Sequence, residues 1–140
     1  MAFAGIKIGH ATDREHHTGC TVFLCPDNTV ASVDVRGAGP GTRETALLAP
    51  DKHVQHVNAV ALSGGSAFGL AVADGVMRYL AEQGIGYHTS IRPIPIVPAA
   101  IVYDLSLGGG KRVPDADMGY AACLDAARRP ERGEVAQGNV

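Results

Sequence analysis

His56-Val57-Asn58-Ala59-Val60-Ala61-Leu62-Ser63-Gly64-Gly65-Ser66-Ala67-Phe68-Gly69-Leu70 decides the fold class of this chain. Residues 56–62 read as a buried strand, Ser63-Gly64-Gly65-Ser66 as a turn, and the residues after Ser66 as the longest helical pattern in the sequence. Leu70, Ala73, Met77 and Leu80 recur at helical spacing and Val72 and Val76 widen the stripe, which predicts a helix over 67–83. Ser66 is placed to cap its start, and Gly84 to take the left-handed position after its end. Gly69 and Gly75 each cost about 1 kcal/mol of helix propensity relative to Ala, so they are expected to let the helix lie close against a sheet. Strand, glycine turn and helix in succession make this an α/β protein.

The same arrangement points backbone N–H groups and the positive end of a helix dipole at an anion or a developing oxyanion. Nucleotide binding does not fit. A phosphate loop needs Lys-Ser or Lys-Thr after its last glycine, and a dinucleotide fingerprint needs G-x-G-x-x-G, whereas this turn runs Gly64-Gly65-Ser66-Ala67-Phe68-Gly69. A G-x-S-x-G nucleophile elbow fails as well, because Phe68 stands where its second glycine belongs. Ser66 therefore reads as a sharp-turn and cap residue and not as a nucleophile.

Outward from this unit, residues 19–25 and 29–35 are β-rich runs around Pro26-Asp27-Asn28, which predicts an antiparallel hairpin. Arg36-Gly37-Ala38-Gly39-Pro40-Gly41-Thr42 comes next as a tight loop, flanked by Arg36 and Arg43 as potential carboxylate anchors. Pro93, Pro95 and Pro98 exclude a central strand until residues 99–105. Gly108-Gly109-Gly110-Lys111-Arg112 breaks the chain, and a second helix is expected from Asp115 or Asp117 through Ala127.

A chain of 140 residues with 46% hydrophobic content suits a single domain. At this size roughly two-thirds of the unfolded surface can be buried without disulfide or metal staples. Lys and Arg number 12 against 14 Asp and Glu, so no basic field draws nucleic acid or an anionic membrane. Aromatic residues make up 5% with no Trp, which argues against stacking platforms for single strands and leaves a small molecule as the expected partner. No apolar run reaches the ~20 residues of a membrane span, and charge at Lys7 interrupts the N-terminal apolar stretch, so the expected location is cytoplasmic. Cys20, Cys25 and Cys123 cannot all pair, and the strand spacing of Cys20 and Cys25 puts them on opposite ends and faces. They are expected to be thiols, with no metal and no cofactor.

Six segments together carry a resemblance to a known family. They are Gly9-His10-Ala11-Thr12-Asp13, Thr18-Gly19-Cys20-Thr21-Val22, residues 35–45, residues 62–70, Pro95-Ile96-Val97-Pro98-Ala99-Ala100 with Tyr103-Asp104-Leu105, and Gln137-Gly138-Asn139-Val140. The chain resembles the N-terminal portion of the self-processing aminopeptidases, which include an L-aminopeptidase that is also a D-amino-acid esterase and amidase, β-peptidyl aminopeptidases and nylon-oligomer hydrolases. Two departures are visible: Ala71 stands where an aspartate is common, and Leu105-Ser106-Leu107 lacks an acid often present.

The resemblance implies a layered αββα sandwich of the N-terminal-nucleophile type, here incomplete. It implies a precursor that cleaves itself before a Ser or Thr, whose new amino group serves as base. That point lies downstream of Gly-Asn-Val, so the nucleophile-bearing segment of the same precursor is the expected partner, and residues 1–140 alone are expected to be inactive. Hydrolysis of N-terminal peptide or small amide bonds and a homo-oligomeric assembly complete the expectation.

By motif position Asn139 resembles the side-chain donor to the oxyanion, Tyr103 the tyrosine that helps hold the same group, and Lys111 a lysine near the site. Gly64, Gly65 and Ser66 are the candidate substrate-binding turn. Without the resemblance, Tyr103 reads as a strand tyrosine at the core edge and Lys111 as a solvated loop lysine. The alternatives are a truncated remnant or binding subunit without turnover, and an ornithine acetyltransferase-like protein of related layout.

Overall fold

The structure, a computed structural model, describes residues 5–128. Five strands, β1 (Lys7–Asp13), β2 (Thr18–Leu24), β3 (Thr42–Arg43), β4 (Ala59–Ser63) and β5 (Ala99–Ile101), join in one sheet of order β1-β2-β4-β5-β3. β1 to β2, β2 to β4 and β5 to β3 are antiparallel, and β4 to β5 is parallel across a helical connection. Two helices, α1 (Val72–Glu82) and α2 (Ala116–Arg128), complete the mixed α/β architecture.

Alternation along the strands sends one set of side chains to the helices. Cys20 and Val22, Ala59 and Ala61, and Ala99 share a buried cluster with Val72, Ala73, Val76 and Leu80 of α1 and Ala122 and Cys123 of α2. The intervening positions face the other way, and there Leu62 is 43% exposed in the middle strand of the sheet. Both helices therefore cover the same side, and on the opposite side Leu62 lies open while Phe23 and Val60 are half-buried.

The expected hairpin is not formed. Residues 29–35 make no ladder and leave Val30, Val33 and Val35 exposed, because both edges of β2 are taken by β1 and β4. β1 itself lacks a hydrophobic alternation that would announce it; only Ile8 and Ala11 are apolar beyond Gly9. The strand expected over 56–62 starts at Ala59 and includes Ser63. That expected over 99–105 stops at Ile101, beyond which the chain turns onto the glycine turn.

The helix expected over 67–83 divides into a 3-10 segment, Ser66–Ala71, and α1. Ser66 does not cap it: Gly65 is the left-handed N-cap residue and no side-chain cap bond forms. Gly84 does take the left-handed conformation, at φ +69°. Gly69 packs on the backbone of Gly64, but Gly75 meets the backbone of Ala116, so its close approach is to the second helix and not to the sheet. At the start of α2, Asp115 Oδ1 accepts from the Met118 N–H at 3.0 Å, the N-cap geometry expected of an aspartate there. No helix among the described residues is long and apolar enough to cross a membrane.

Candidate functional site

The chain leaves β4 at Ser63 and reverses within three residues, and every N–H in that reversal is used internally. Gly64 N–H donates to the Gly19 carbonyl at 2.9 Å and Ser66 N–H to the Val102 carbonyl at 3.1 Å. Gly65 N–H donates to Asp104 Oδ1 at 2.6 Å. The free donors expected of this turn are thus absent at residues 64–66, and the place an external anion would take is held by the chain's own carboxylate. Asp104 also accepts from Thr18 Oγ1 through Oδ2 at 2.7 Å, which ties β2 to the turn.

Glycine is demanded here by space as well as by backbone angle. A Cβ on Gly64 would overlap Asp104 Oδ2 and come within 2.6 Å of Thr18 Oγ1, and one on Gly65 would stand 2.7 Å from Pro114 Cδ. Gly65 has φ +81° and Ser66 φ +54°, two consecutive left-handed residues of which the second is not glycine. Such a backbone costs on the order of 1 kcal/mol at a non-glycine residue and persists only where surrounding contacts enforce it.

Tyr103 lies between two residues that bond to this turn, since Val102 exchanges backbone bonds with Ser63 and Ser66 and Asp104 holds Gly65. The residue is 71% exposed, so the core-edge environment that it suggests in isolation is not the one observed. Phe68 beside the turn is 68% exposed. Lys111 is exposed and lies shortly before Val113 and Pro114, which pack against Gly65. Asn139 lies outside the described residues. The Tyr103 backbone therefore runs next to Gly64-Gly65-Ser66 through the bonds of residues 102 and 104, and Lys111 is on the same connecting segment.

Asp104 and Thr18 had no role legible in the sequence, because their hydrogen-bond partners are 39 and 86 residues away. Nearby, the β1–β2 turn is closed by Asp13, whose carboxyl is held below its ordinary range chiefly by the His16 backbone N–H. Burial pushes the thiols of Cys20 and Cys123 up to about 12, so both are neutral at physiological pH and are not nucleophiles. Arg43 turns to α1 and bonds Asp74 at 2.6 Å, and Arg36 pairs with Asp34 on the surface, so neither anchors a site carboxylate. Among the described residues no three His, Cys, Asp or Glu side chains converge as metal ligands. A groove of about 220 Å³ lined by Val30, Leu47, Leu48, Val54, Val57 and Ile96 shares no residue with the turn.

Residues 3–140 match the sequence model of Peptidase family S58. The chain belongs to this family. It is 45% identical over 142 residues to an uncharacterized aminopeptidase of Mycobacterium tuberculosis (strain ATCC 25618 / H37Rv), covering 96% of this chain and 41% of that protein. An uncharacterized aminopeptidase of Mycobacterium leprae (strain TN) is 45% identical over 148 residues, covering 98% and 41%. A 6-aminohexanoate-oligomer endohydrolase of Kocuria sp. (strain KY2) is 32% identical over 138 residues, covering 99% and 35%. The S58 chain thus spans about two-fifths of the length of its mycobacterial relatives.

Proposed function

We propose that this S58 chain is the N-terminal portion of a self-processing aminopeptidase or amidase that hydrolyses N-terminal peptide or small amide bonds. The observation that carries the proposal is the match to the family over residues 3–140; it is supported by a fold in which Val102 and Asp104, the chain neighbours of Tyr103, bond to the Gly64-Gly65-Ser66 turn. The higher identity to the mycobacterial aminopeptidases favours exopeptidase over endohydrolase chemistry. The Kocuria relative points to the same bond type, since 6-aminohexanoate oligomers are joined by amides.

In this reading the nucleophile is a Ser or Thr on a segment downstream of residue 140, freed by self-cleavage, with its own amino group as base. Tyr103 and Asn139 donate to the tetrahedral oxygen, each supplying a few kcal/mol of transition-state stabilisation. Lys111 contributes positive charge at the rim, and the Gly64-Gly65-Ser66 turn forms a substrate wall through its shape, its N–H groups at 64–66 being already bonded. The downstream segment supplies the second sheet that turns this α/β half into an αββα sandwich. The assembled enzyme is cytoplasmic and homo-oligomeric.

Turnover of amino-acid p-nitroanilides by the full-length protein is the test, with self-cleavage followed by gel. Expected are two polypeptides, release of p-nitroaniline, and no release by residues 1–140 alone. Absence of turnover across L-, D- and β-amino-acid substrates in the full-length protein would sink the reading.

A further inference from the structure

We propose that Asp104 is a positioning residue of this site: its carboxylate locks the glycine turn and thereby fixes where Tyr103 stands beside it. The inference rests on the aminopeptidase reading and adds a residue that acts through its neighbours without touching substrate.

Three observations carry it. First, the carboxylate bridges otherwise separate parts of the chain, accepting from Thr18 Oγ1 at 2.7 Å and from Gly65 N–H at 2.6 Å, short distances expected of charge-assisted bonds. Gly64 is bare of a side chain where this pair sits, so the turn is built around the carboxylate. Second, the locked turn is strained at Ser66, φ +54°, a conformation that needs external enforcement. The bonds that enforce it run from Gly65 to Asp104 and from Ser66 to Val102, the two chain neighbours of Tyr103. Third, Tyr103 is 71% exposed and its side chain makes no hydrogen bond among the described residues. The point from which it extends is therefore set by the anchoring of residues 102 and 104. Displacing a reacting group by about 1 Å can cost ~100-fold in rate, so the anchor has kinetic leverage.

The test uses the full-length protein with Asp104→Ala, Asp104→Asn, Thr18→Val and Tyr103→Phe, read by steady-state hydrolysis of an amino-acid p-nitroanilide and by amide hydrogen exchange. Asp104→Ala is expected to lower kcat about tenfold to a hundredfold while KM moves less than about threefold. Exchange at residues 64–66 should accelerate while β1 and β2 keep their protection. Asp104→Asn keeps an acceptor for Gly65, and the Thr18 hydroxyl can reverse to accept from the amide, so kcat should recover to within about fivefold of the parent. In the Tyr103→Phe background Asp104→Ala should cost less than it does alone, because both act at one point.

Unchanged kcat together with unchanged exchange at the turn overturns the proposal, and so do effects of Asp104 and Tyr103 that simply multiply. If Asp104→Ala does not fold, the near-isosteric Thr18→Val decides: a smaller loss of kcat in the same direction supports the clamp, and no change in kcat or exchange overturns it. If the parent turns over no amide the aminopeptidase reading falls, whereas the exchange experiment still decides whether Asp104 locks the turn.

Discussion

At the scale of single residues, Gly64 and the two buried thiols show how packing sets chemistry. Gly64 faces a carboxylate and a hydroxyl that already bond each other, so Gly64→Ala must either push Asp104 aside or break its bond to Thr18. An overpacked methyl and a disturbed, partly buried bond together should lower stability by about 2–3 kcal/mol, measured by urea unfolding of the full-length protein. Cys20 and Cys123 titrate near 12 in the folded state against an ordinary 9.0, because burial penalises the thiolate. The folded state then holds its protons where the unfolded state releases them. Their contribution is fully present below about pH 9 and is lost as pH rises towards 12, at up to about 1.4 kcal/mol per pH unit for each thiol. Unfolding midpoints measured from pH 8 to 11 should fall more steeply in the parent than in Cys20→Ala. A parallel course would show that the thiols do not cause the loss.

At the scale of elements, local signals held where the deciding contacts are themselves local. Asp115 three residues before Met118, the left-handed Gly84 and the prolines at 93, 95 and 98 act within a turn or two of the chain, and all were legible. Asp115→Ala removes the cap bond to Met118 and should destabilise by about 1 kcal/mol, seen as a lowered unfolding midpoint. An unchanged midpoint would mean that packing of α2 on α1 and the sheet suffices without the cap. The strand readings failed at the edges instead. Residues 29–35 have the β-branched composition of a strand but no edge of β2 is left for them, and residues 7–13 form β1 with little hydrophobic pattern because β2 supplies the partner.

At the scale of the whole molecule, the helices lie on one side of the sheet and apolar groups remain on the other. Leu62 is 43% exposed, and beyond the end of β5 Val102 is 50% exposed. Exposed apolar side chains gathered on one side of a sheet favour association. Residues 1–140 expressed alone are therefore expected to bind a hydrophobic dye and to self-associate in sedimentation. A monodisperse monomer with a sharp thermal transition would show instead that one-sided helical cover is enough.

What the sequence by itself determined is what periodicity, turn residues and motif order encode: an α/β chain, the β4–turn–helix unit, and the resemblance to self-processing aminopeptidases with Tyr103 and the Gly64-Gly65-Ser66 turn as candidates. Only the tertiary structure decided which strands pair, which face of the sheet the helices cover, and that Asp104 fills the turn that was expected to await an anion. The physical reason is range. Helical stripes and caps depend on neighbours a few residues away, whereas the bonds of Asp104 to Gly65 and Thr18 cross 39 and 86 residues, and no local pattern records which distant donor a carboxylate will find.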